Sequence, residues 1–296
     1  MRRPTRHPRR PAGIVQACVG AVLLLGATAC ASTATGPAAP TAARSAVPRP
    51  PIPVTWTMPT DVSAMLLPST GAETRWSQGL DTFTTLVANA ATRTCARSRG
   101  LAEPVTTPGM FFRVMDIPDL PFIQAHGFDG GLAPGESASA AGAAPGRSTP
   151  GPEQQQCFED GAKAMRELKD LYAPLQAQWF TAAAALRRHQ EVDAAYRQLD
   201  GCLAGHGVRA KGEEAFFAVV DQSIQAADAP AVSRLGEVYA TCMAPVEAVR
   251  EPLRAKLRDD FRAGHRSEID TLGDSVPRKV HELEERYGLR ISFPSP

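Results

Sequence analysis

Cys30 is the residue whose chemistry the sequence defines best, because the residues before it have the form of an export signal. The first ten residues contain five arginines and no acidic residue, and an apolar stretch follows from about residue 12 to residue 27. A basic start, a short apolar stretch and small residues before a cleavage point are the parts of a secretory signal peptide. Roughly 15 apolar residues are too few for a comfortable membrane span. We therefore predict that residues 1–29 are a signal peptide.

The residues Ala27-Thr28-Ala29-Cys30 resemble the signals of bacterial lipoproteins, in which a Leu/Ala-x-small-Cys sequence is acylated on the cysteine and cleaved just before it. The resemblance implies lipidation of Cys30 and a protein anchored at the extracytoplasmic face of the cell membrane. Each methylene buried in the bilayer contributes about 0.8 kcal/mol to membrane binding. Two or more acyl chains therefore anchor a protein stably, whereas a single chain anchors it only marginally. Ala27 stands where leucine is usual, and ordinary secretion without a lipid is the alternative.

Four cysteines remain after Cys30, namely Cys95, Cys157, Cys202 and Cys242. An even number of cysteines in an oxidising compartment predicts disulfides, and four cysteines permit three pairings. A disulfide that closes a loop of roughly 40 to 60 residues would stabilise the folded protein by on the order of 4 kcal/mol in the chain-entropy model. Because no two cysteines have the C-x2-4-C spacing of a zinc site, we expect two disulfides and no metal.

Other residues that could carry catalysis do not form a recognisable set. The sequence has no G-x-S-x-G, no H-E-x-x-H and no phosphate-binding glycine motif. His281 begins the sequence His-Glu-Leu-Glu-Glu, which lacks the second histidine of a zinc helix. We predict no catalytic residues and no cofactor, and we favour a non-enzymatic binding or adaptor module. A cell-wall hydrolase or the solute-binding lipoprotein of a transporter is the alternative.

The charge of the exported part excludes one class of partner. Five of the 32 basic residues and none of the 31 acidic residues lie in the leader, so the remainder has a net charge of −4. Such a protein has no electrostatic footprint for nucleic acid. The expected partners are the membrane, through the lipid anchor, and an envelope protein or cell-wall component. Arginine outnumbers lysine 27 to 5, which is typical of a GC-rich genome such as that of an actinobacterium.

Two low-complexity stretches divide the rest of the chain. Residues 30–53 are rich in alanine, proline, threonine and serine, and we predict a tether because such a stretch cannot bury a core. Residues 127–156 are polar and rich in glycine, and we predict a disordered insertion. The segments 54–126 and 157–296 are then a first helical half and the remaining helical domain.

Apolar residues at helical spacing recur through both of these segments, which predicts amphipathic helices. The faces are formed by Leu80, Phe83, Val87, Ala91 and Cys95; by Val192, Tyr196, Leu199 and Leu203; by Val232, Leu235, Tyr239, Cys242 and Val246; and by Val276, Val280, Leu283 and Tyr287. Gly100 and Gly207 stand where a glycine ends a helix. The predicted fold is mainly α, a helical bundle held by disulfides, with kinked or segmented helices where prolines follow Cys157 and Cys242.

Four landmarks occur twice in the same order, which favours two related helical halves over a chance similarity of alanine-rich helices. They are Cys95-x4-Gly100 and Cys202-x4-Gly207, Phe111-Phe112 and Phe216-Phe217, Cys157 and Cys242, and Arg166-Glu167 and Arg250-Glu251. A duplication favours the local pairs Cys95–Cys157 and Cys202–Cys242, although the other two pairings have the same symmetry. The Cys-x4-Gly helix ends resemble those of exported actinobacterial lipoproteins, a resemblance that implies location and fold style only.

In the segment from Val105 to Phe128 the apolar residues recur at neither helical nor strand spacing, and prolines interrupt the segment. Its four phenylalanines, Phe111, Phe112, Phe122 and Phe128, exceed what a solvated loop carries. We expect them to pack in the core, with a partner-binding ridge as the alternative.

Overall fold

The computed structural model describes residues 52–111, 117–128, 130–136 and 150–295. The predicted signal peptide, Cys30 and nearly all of the predicted tether lie outside the described residues.

Almost all regular structure in the described part of the chain is helical, which confirms the mainly α fold. In chain order the elements are β1 (Val54–Thr55), α1 (Val62–Leu66), α2 (Thr74–Ser98), α3 (Leu120–His126), α4 (Pro152–Ala185), a 3-10 turn (Leu186–Arg188), α5 (Gln190–Tyr196), α6 (Leu199–Gly205), α7 (Gly212–Gln225), α8 (Ala229–Gly264), α9 (Arg266–Tyr287) and β2 (Phe293–Pro294).

Local sequence explains where several helices begin. Asp61, Asp119 and Asp228 precede α1, α3 and α8, and each side chain accepts a hydrogen bond from a backbone amide of the first turn. This contact satisfies a donor that has no partner within the helix. Of the predicted kinked or segmented helices, segmentation does not occur, because α4 and α8 run unbroken through their internal prolines. Packing along the whole length of these helices compensates for the hydrogen bond that each proline removes.

The apolar side chains form two clusters that do not follow the predicted halves. The first cluster combines α1, α2, α4 and α9 with the segment around β2, and Trp179, Tyr172 and Phe83 are at its centre. The second combines α3, α5, α6, α7 and the first part of α8, around Tyr239 and Phe216. The C-terminal helix thus returns to the first cluster while α3 joins the second, so neither predicted segment packs by itself.

The two disulfides are the local pairs Cys95–Cys157 and Cys202–Cys242. The first joins the C-terminal end of α2 to the start of α4, and the second joins α6 to α8. This resolves the choice among the three pairings that the sequence left open, and it confirms that the disulfides staple neighbouring helices.

The structure supports the predicted duplication only at the helix ends and the disulfides. Gly100 and Gly207 both have positive φ, and the residue after each donates its amide to a carbonyl in the last turn, Leu101 to Ala96 at 2.9 Å and Val208 to Leu203 at 2.9 Å. These are the contacts of a Schellman motif.

The remaining landmarks of the duplication are not equivalent in structure. Phe111 lies in an extended segment whose amide bonds to Gly131, whereas Phe216 is helical. Arg166 is exposed, whereas Arg250 is buried. Two of the four landmarks therefore match only in sequence.

Part of the predicted low-complexity insertion 127–156 belongs to the folded body. Phe128 is buried and its ring lies edge-on to Tyr239 with centroids 5.3 Å apart, and Ala133 is buried beside the bridge between Met110 and Leu132. Helix α4 already begins at Pro152. One large aromatic side chain is enough to anchor a glycine-rich segment, which average composition does not reveal.

Phenylalanines of the 105–128 segment pack in the core, as expected. Phe111, Phe122 and Phe128 are each buried, and Phe112 lies outside the described residues.

The two ends of the described chain are joined by a short antiparallel ladder. Val54 pairs with Pro294 and Thr55 with Phe293, and the amide of Ser295 donates to the carbonyl of Pro53 at 2.7 Å. Phe293 is fully buried in the first cluster. The residue at which the predicted tether joins the body is therefore held by the C-terminal segment.

Helices α2 and α4 leave no room for a Cβ atom at Gly161, so we expect Gly161→Ala to lower the free energy of unfolding by about 1–3 kcal/mol. A Cβ atom there would lie 2.2 Å from the Thr92 hydroxyl oxygen and 2.7 Å from the Ala88 carbonyl oxygen. The measurement is urea unfolding without reductant. Gly273→Ala in α9 is the matched control, because its Cβ would meet nothing within 4 Å and alanine favours a helix by up to about 1 kcal/mol. Equal stability of the two variants would contradict the predicted close packing.

Candidate functional site

A row of arginines follows one side of α8. Arg250, Arg254, Arg258 and Arg262 are spaced four residues apart, so they lie on the same face of the helix. Each contacts an acidic side chain in the folded protein. We refer to these four residues as the arginine row.

The most buried part of the row surrounds Glu247. Arg254 donates from Nη2 to Glu247 Oε2 at 2.9 Å, and Arg250 donates from Nε to Oε1 at 2.6 Å. Only 1%, 5% and 9% of the Arg254, Arg250 and Glu247 side chains are exposed. Arg254 also donates from Nε to the carbonyl of Ser69 at 2.5 Å, which joins α8 to the loop before α2. One carboxylate is thus shared by two guanidinium groups that have lost their water, and Arg254 Nη1 is buried without a hydrogen-bond partner.

Two buried tyrosines extend this cluster into the second apolar cluster. Arg250 donates from Nη1 to the Tyr196 hydroxyl at 2.7 Å, and the Tyr239 hydroxyl donates to Glu213 Oε1 at 2.7 Å. Burial, together with the negative charge of Glu213, raises the pKa of both tyrosines above the usual value. Burial lowers the pKa of Arg250, but the neighbouring Glu247 carboxylate outweighs it and raises that pKa. These groups therefore keep their protons near neutral pH, which suits fixed hydrogen bonds and not proton transfer.

The other two residues of the arginine row, Arg258 and Arg262, lie at the edge of the first apolar cluster. Arg258 donates from Nη1 to both carboxylate oxygens of Glu73 at 2.8 Å, and the amides of Ser69 and Thr70 donate to Glu73 Oε2 at 2.6 and 3.2 Å. Burial raises the pKa of Glu73, but these hydrogen bonds outweigh it and hold the pKa below the usual value. Arg262 lies 3.2 Å from Asp61, which caps α1.

Glu73 and Thr70 also form the reciprocal hydrogen bonds of a capping box in the turn that leads into α2, because the Glu73 amide donates to the Thr70 hydroxyl oxygen at 3.3 Å and the Thr70 amide donates to Glu73 Oε2. The same carboxylate therefore holds this turn in place and accepts hydrogen bonds from Arg258.

The second disulfide has a histidine beside it. The sulfurs of Cys202 and Cys242 and one ring nitrogen of His206 all lie within 4.8 Å of one another. His206 follows the last residue of α6, as the helix-end glycine predicts, and its side chain is exposed. Sequence reasoning missed this group because Cys242 is 40 residues from Cys202. The i, i+4 spacing of Cys202 and His206 was the one signal that could have found it.

An open groove lies at the turn between α8 and α9. It has a volume of about 300 Å³ and is lined by Asp259, Arg262, Ala263, Arg266, Ile269 and Asp270. Two acidic and two basic side chains line it, so their formal charges balance, and Asp259, Arg266 and Asp270 are exposed to water. The groove offers polar contacts but no desolvated group that is prepared for chemistry.

Within the described ranges, no helix combines the length and the apolar composition needed to cross a bilayer. Comparison of the chain with protein-family models, curated proteins and solved structures gave no match. Function must therefore be argued from the chemistry of the chain's own residues.

Removing the shared carboxylate should unfold the protein more easily. We expect Glu247→Gln to lower the free energy of unfolding by about 3–5 kcal/mol, because two buried guanidinium groups would then lack a counter-charge. Chemical unfolding monitored by circular dichroism measures this loss. Glu237→Gln on an exposed position of the same helix should stay within about 0.5 kcal/mol of the wild type. A loss below 1 kcal/mol for Glu247→Gln would contradict the assigned role.

The lowered pKa of Glu73 predicts a specific pH dependence. Glu73 adds stability above its ordinary pKa of 4.5, and this contribution is lost as the pH falls through the lower pKa of the folded state. Between pH 7 and pH 3 the free energy of unfolding should therefore decrease less in Glu73→Gln than in the wild type. Glu214→Gln, at an exposed glutamate, should follow the wild-type curve. Parallel curves for all three proteins would show that Glu73 makes no ionic contribution.

Proposed function

We propose that this protein is a lipid-anchored, non-enzymatic binding or adaptor module at the extracytoplasmic face of the cell membrane. The observation that carries the proposal is that the four cysteines after Cys30 form two disulfides. Structural disulfides form and persist in oxidising compartments outside the cytoplasm. Together with the lipoprotein-like Ala27-Thr28-Ala29-Cys30 sequence, this pairing supports export and anchoring through Cys30.

The chemistry of the interior supports binding over catalysis. The buried ionisable groups around Glu247 are held in hydrogen bonds to one another, and the raised pKa values of Tyr196 and Tyr239 remove them from acid–base exchange near neutral pH. Cysteine attack on a wall polymer needs a free thiolate, which a disulfide does not supply. These features disfavour the alternative of a cell-wall hydrolase.

The architecture disfavours the other alternative, a solute-binding lipoprotein. Such proteins are built as two lobes of alternating strands and helices. In the described part of this chain the ladder between β1 and β2 is two residues long on each strand, and long helices provide the rest of the body. A helical body carried by a lipid anchor suits contact with an envelope protein or cell-wall component, and the net charge of −4 on the exported part does not favour nucleic acid.

Anchoring is tested by removing the modified sulfur. We expect Cys30→Ala to move the protein from the detergent-rich phase of a membrane extract to the aqueous phase, or to leave the leader uncleaved, because the acyl chains are attached to this residue. The intact mass of the purified protein reports both cleavage and acylation. Cys18→Ala, a cysteine within the leader, is the control and should behave as the wild type. A Cys30→Ala protein that is normally processed and still partitions into detergent would overturn the lipid anchor.

The binding role is tested by crosslinking in living cells. A binding module should give a discrete crosslinked species whose yield falls when Cys30→Ala releases the protein from the membrane. Purified protein that depolymerises cell-wall material, with no crosslinked partner, would favour the hydrolase instead.

A further inference from the structure

Cys202, Cys242 and His206 bring two sulfurs and one ring nitrogen within 4.8 Å of one another, and a disulfide joins the two sulfurs. Cys202 lies on α6 and His206 caps its C-terminal end four residues later, where the His206 amide donates to the Cys202 carbonyl at 3.1 Å, so both side chains lie on the same side of the helix end. Among the residues that the structure describes, this is the one set of three cysteine, histidine or acidic side chains close enough to share an ion.

The first disulfide provides a natural comparison. Cys95 and Cys202 occupy the same position before a left-handed glycine, but the residue four positions later is Arg99 in one case and His206 in the other. Arg99 has no lone pair for a metal, and its guanidinium lies 3.9 Å from Asp160. The histidine therefore distinguishes two helix ends that otherwise share their backbone geometry.

We propose that reduction of the Cys202–Cys242 disulfide opens a Zn²⁺ site composed of two thiolates and His206. A small dithiol reductant gives two electrons and two protons to the disulfide and becomes a disulfide itself, which leaves two thiols on the protein. Zn²⁺ then binds the two sulfurs and one histidine nitrogen, and the two thiol protons are released to water. Sulfur and imidazole nitrogen are the ligands that Zn²⁺ prefers, and three protein ligands leave a fourth position for water.

The surrounding packing keeps the ligands together after reduction. Cys242 is 3% exposed and lies between buried Tyr239 and Met243 on α8, while Leu199 and Leu203 hold α6 against the same cluster. The Cα atoms of the two cysteines are 5.6 Å apart. Zn–S bonds of about 2.3 Å in tetrahedral geometry place the sulfurs roughly 3.8 Å apart, a separation that two cysteine side chains with this Cα spacing can span.

The exposure of the ligands determines whether a metal ion can enter the site, and the disulfide determines whether it can bind. His206 is exposed and Cys202 is half-buried, so an ion can enter from solvent. In the disulfide form both sulfurs lack the negative charge that a metal requires. The same residues thus act as a structural staple when oxidised and as a metal ligand set when reduced.

Co²⁺ is the probe, because its bonds to thiolates give a strong charge-transfer absorption. After reduction with dithiothreitol and removal of the reductant without air, the purified protein should bind one Co²⁺ with this absorption, and Zn²⁺ should displace it. The oxidised protein should show none. His206→Arg, which copies the first helix end, should raise the Kd for Co²⁺ at least tenfold, whereas Arg99→Ala should leave it unchanged. Equal affinity of wild type and His206→Arg would overturn the site.

Reduction also opens the Cys95–Cys157 disulfide, so circular dichroism must show that the reduced protein keeps its helices. If it does not, Cys202→His decides the matter in non-reducing buffer, because it supplies a second nitrogen ligand beside free Cys242 while the first disulfide stays intact. This variant should bind Co²⁺, and adding His206→Arg should abolish the binding. Failure of the folded Cys202→His variant to bind Co²⁺ would also overturn the proposal.

Discussion

The arrangement of the two apolar clusters depends on one buried ionic contact. In this contact Arg250 and Arg254 share the carboxylate of Glu247. A buried charge that loses its partner costs several kcal/mol, so Arg250 and Arg254 can be buried only where their partners are in place. Those partners come from different parts of the chain, because Tyr196 belongs to the second cluster and the Ser69 carbonyl to the edge of the first. Apolar packing fills each cluster, and this directional network fixes how α8 passes between them.

The disulfides take no part in that ionic network. Each one ties the C-terminal end of a helix to a following long helix, and each lies a few residues before a left-handed glycine. Their stabilisation is of the order of 4 kcal/mol each in the chain-entropy model, similar to the expected cost of breaking the ionic network. One helix end carries Arg99 and the other His206, and this single difference separates a structural staple from a candidate ligand set.

Much of the fold could be predicted from the sequence, because helical periodicity and helix-end glycines are local signals. The face of Leu80, Phe83 and Val87 is buried as predicted, and α2 ends close to Gly100. The burial of Ala133 and the bridge between Met110 and Leu132 could not be read from a stretch of glycine and serine, since both depend on contacts with residues outside that stretch. The candidate sites were missed for the same reason: the arginine row appears as a solvated charged face until its partners are known.

The sequence by itself determined the helical class, the number of cysteines available for pairing and the lipoprotein-like residues around Cys30, since composition and short spacings specify all three. Only the tertiary structure decided which cysteines pair, which carboxylates neutralise the arginine row and that His206 lies beside a disulfide. The physical reason is that hydrogen bonds, ion pairs and metal ligation act over a few ångströms, and folding brings together groups far apart in the chain, such as Arg258 and Glu73, which are separated by 185 residues.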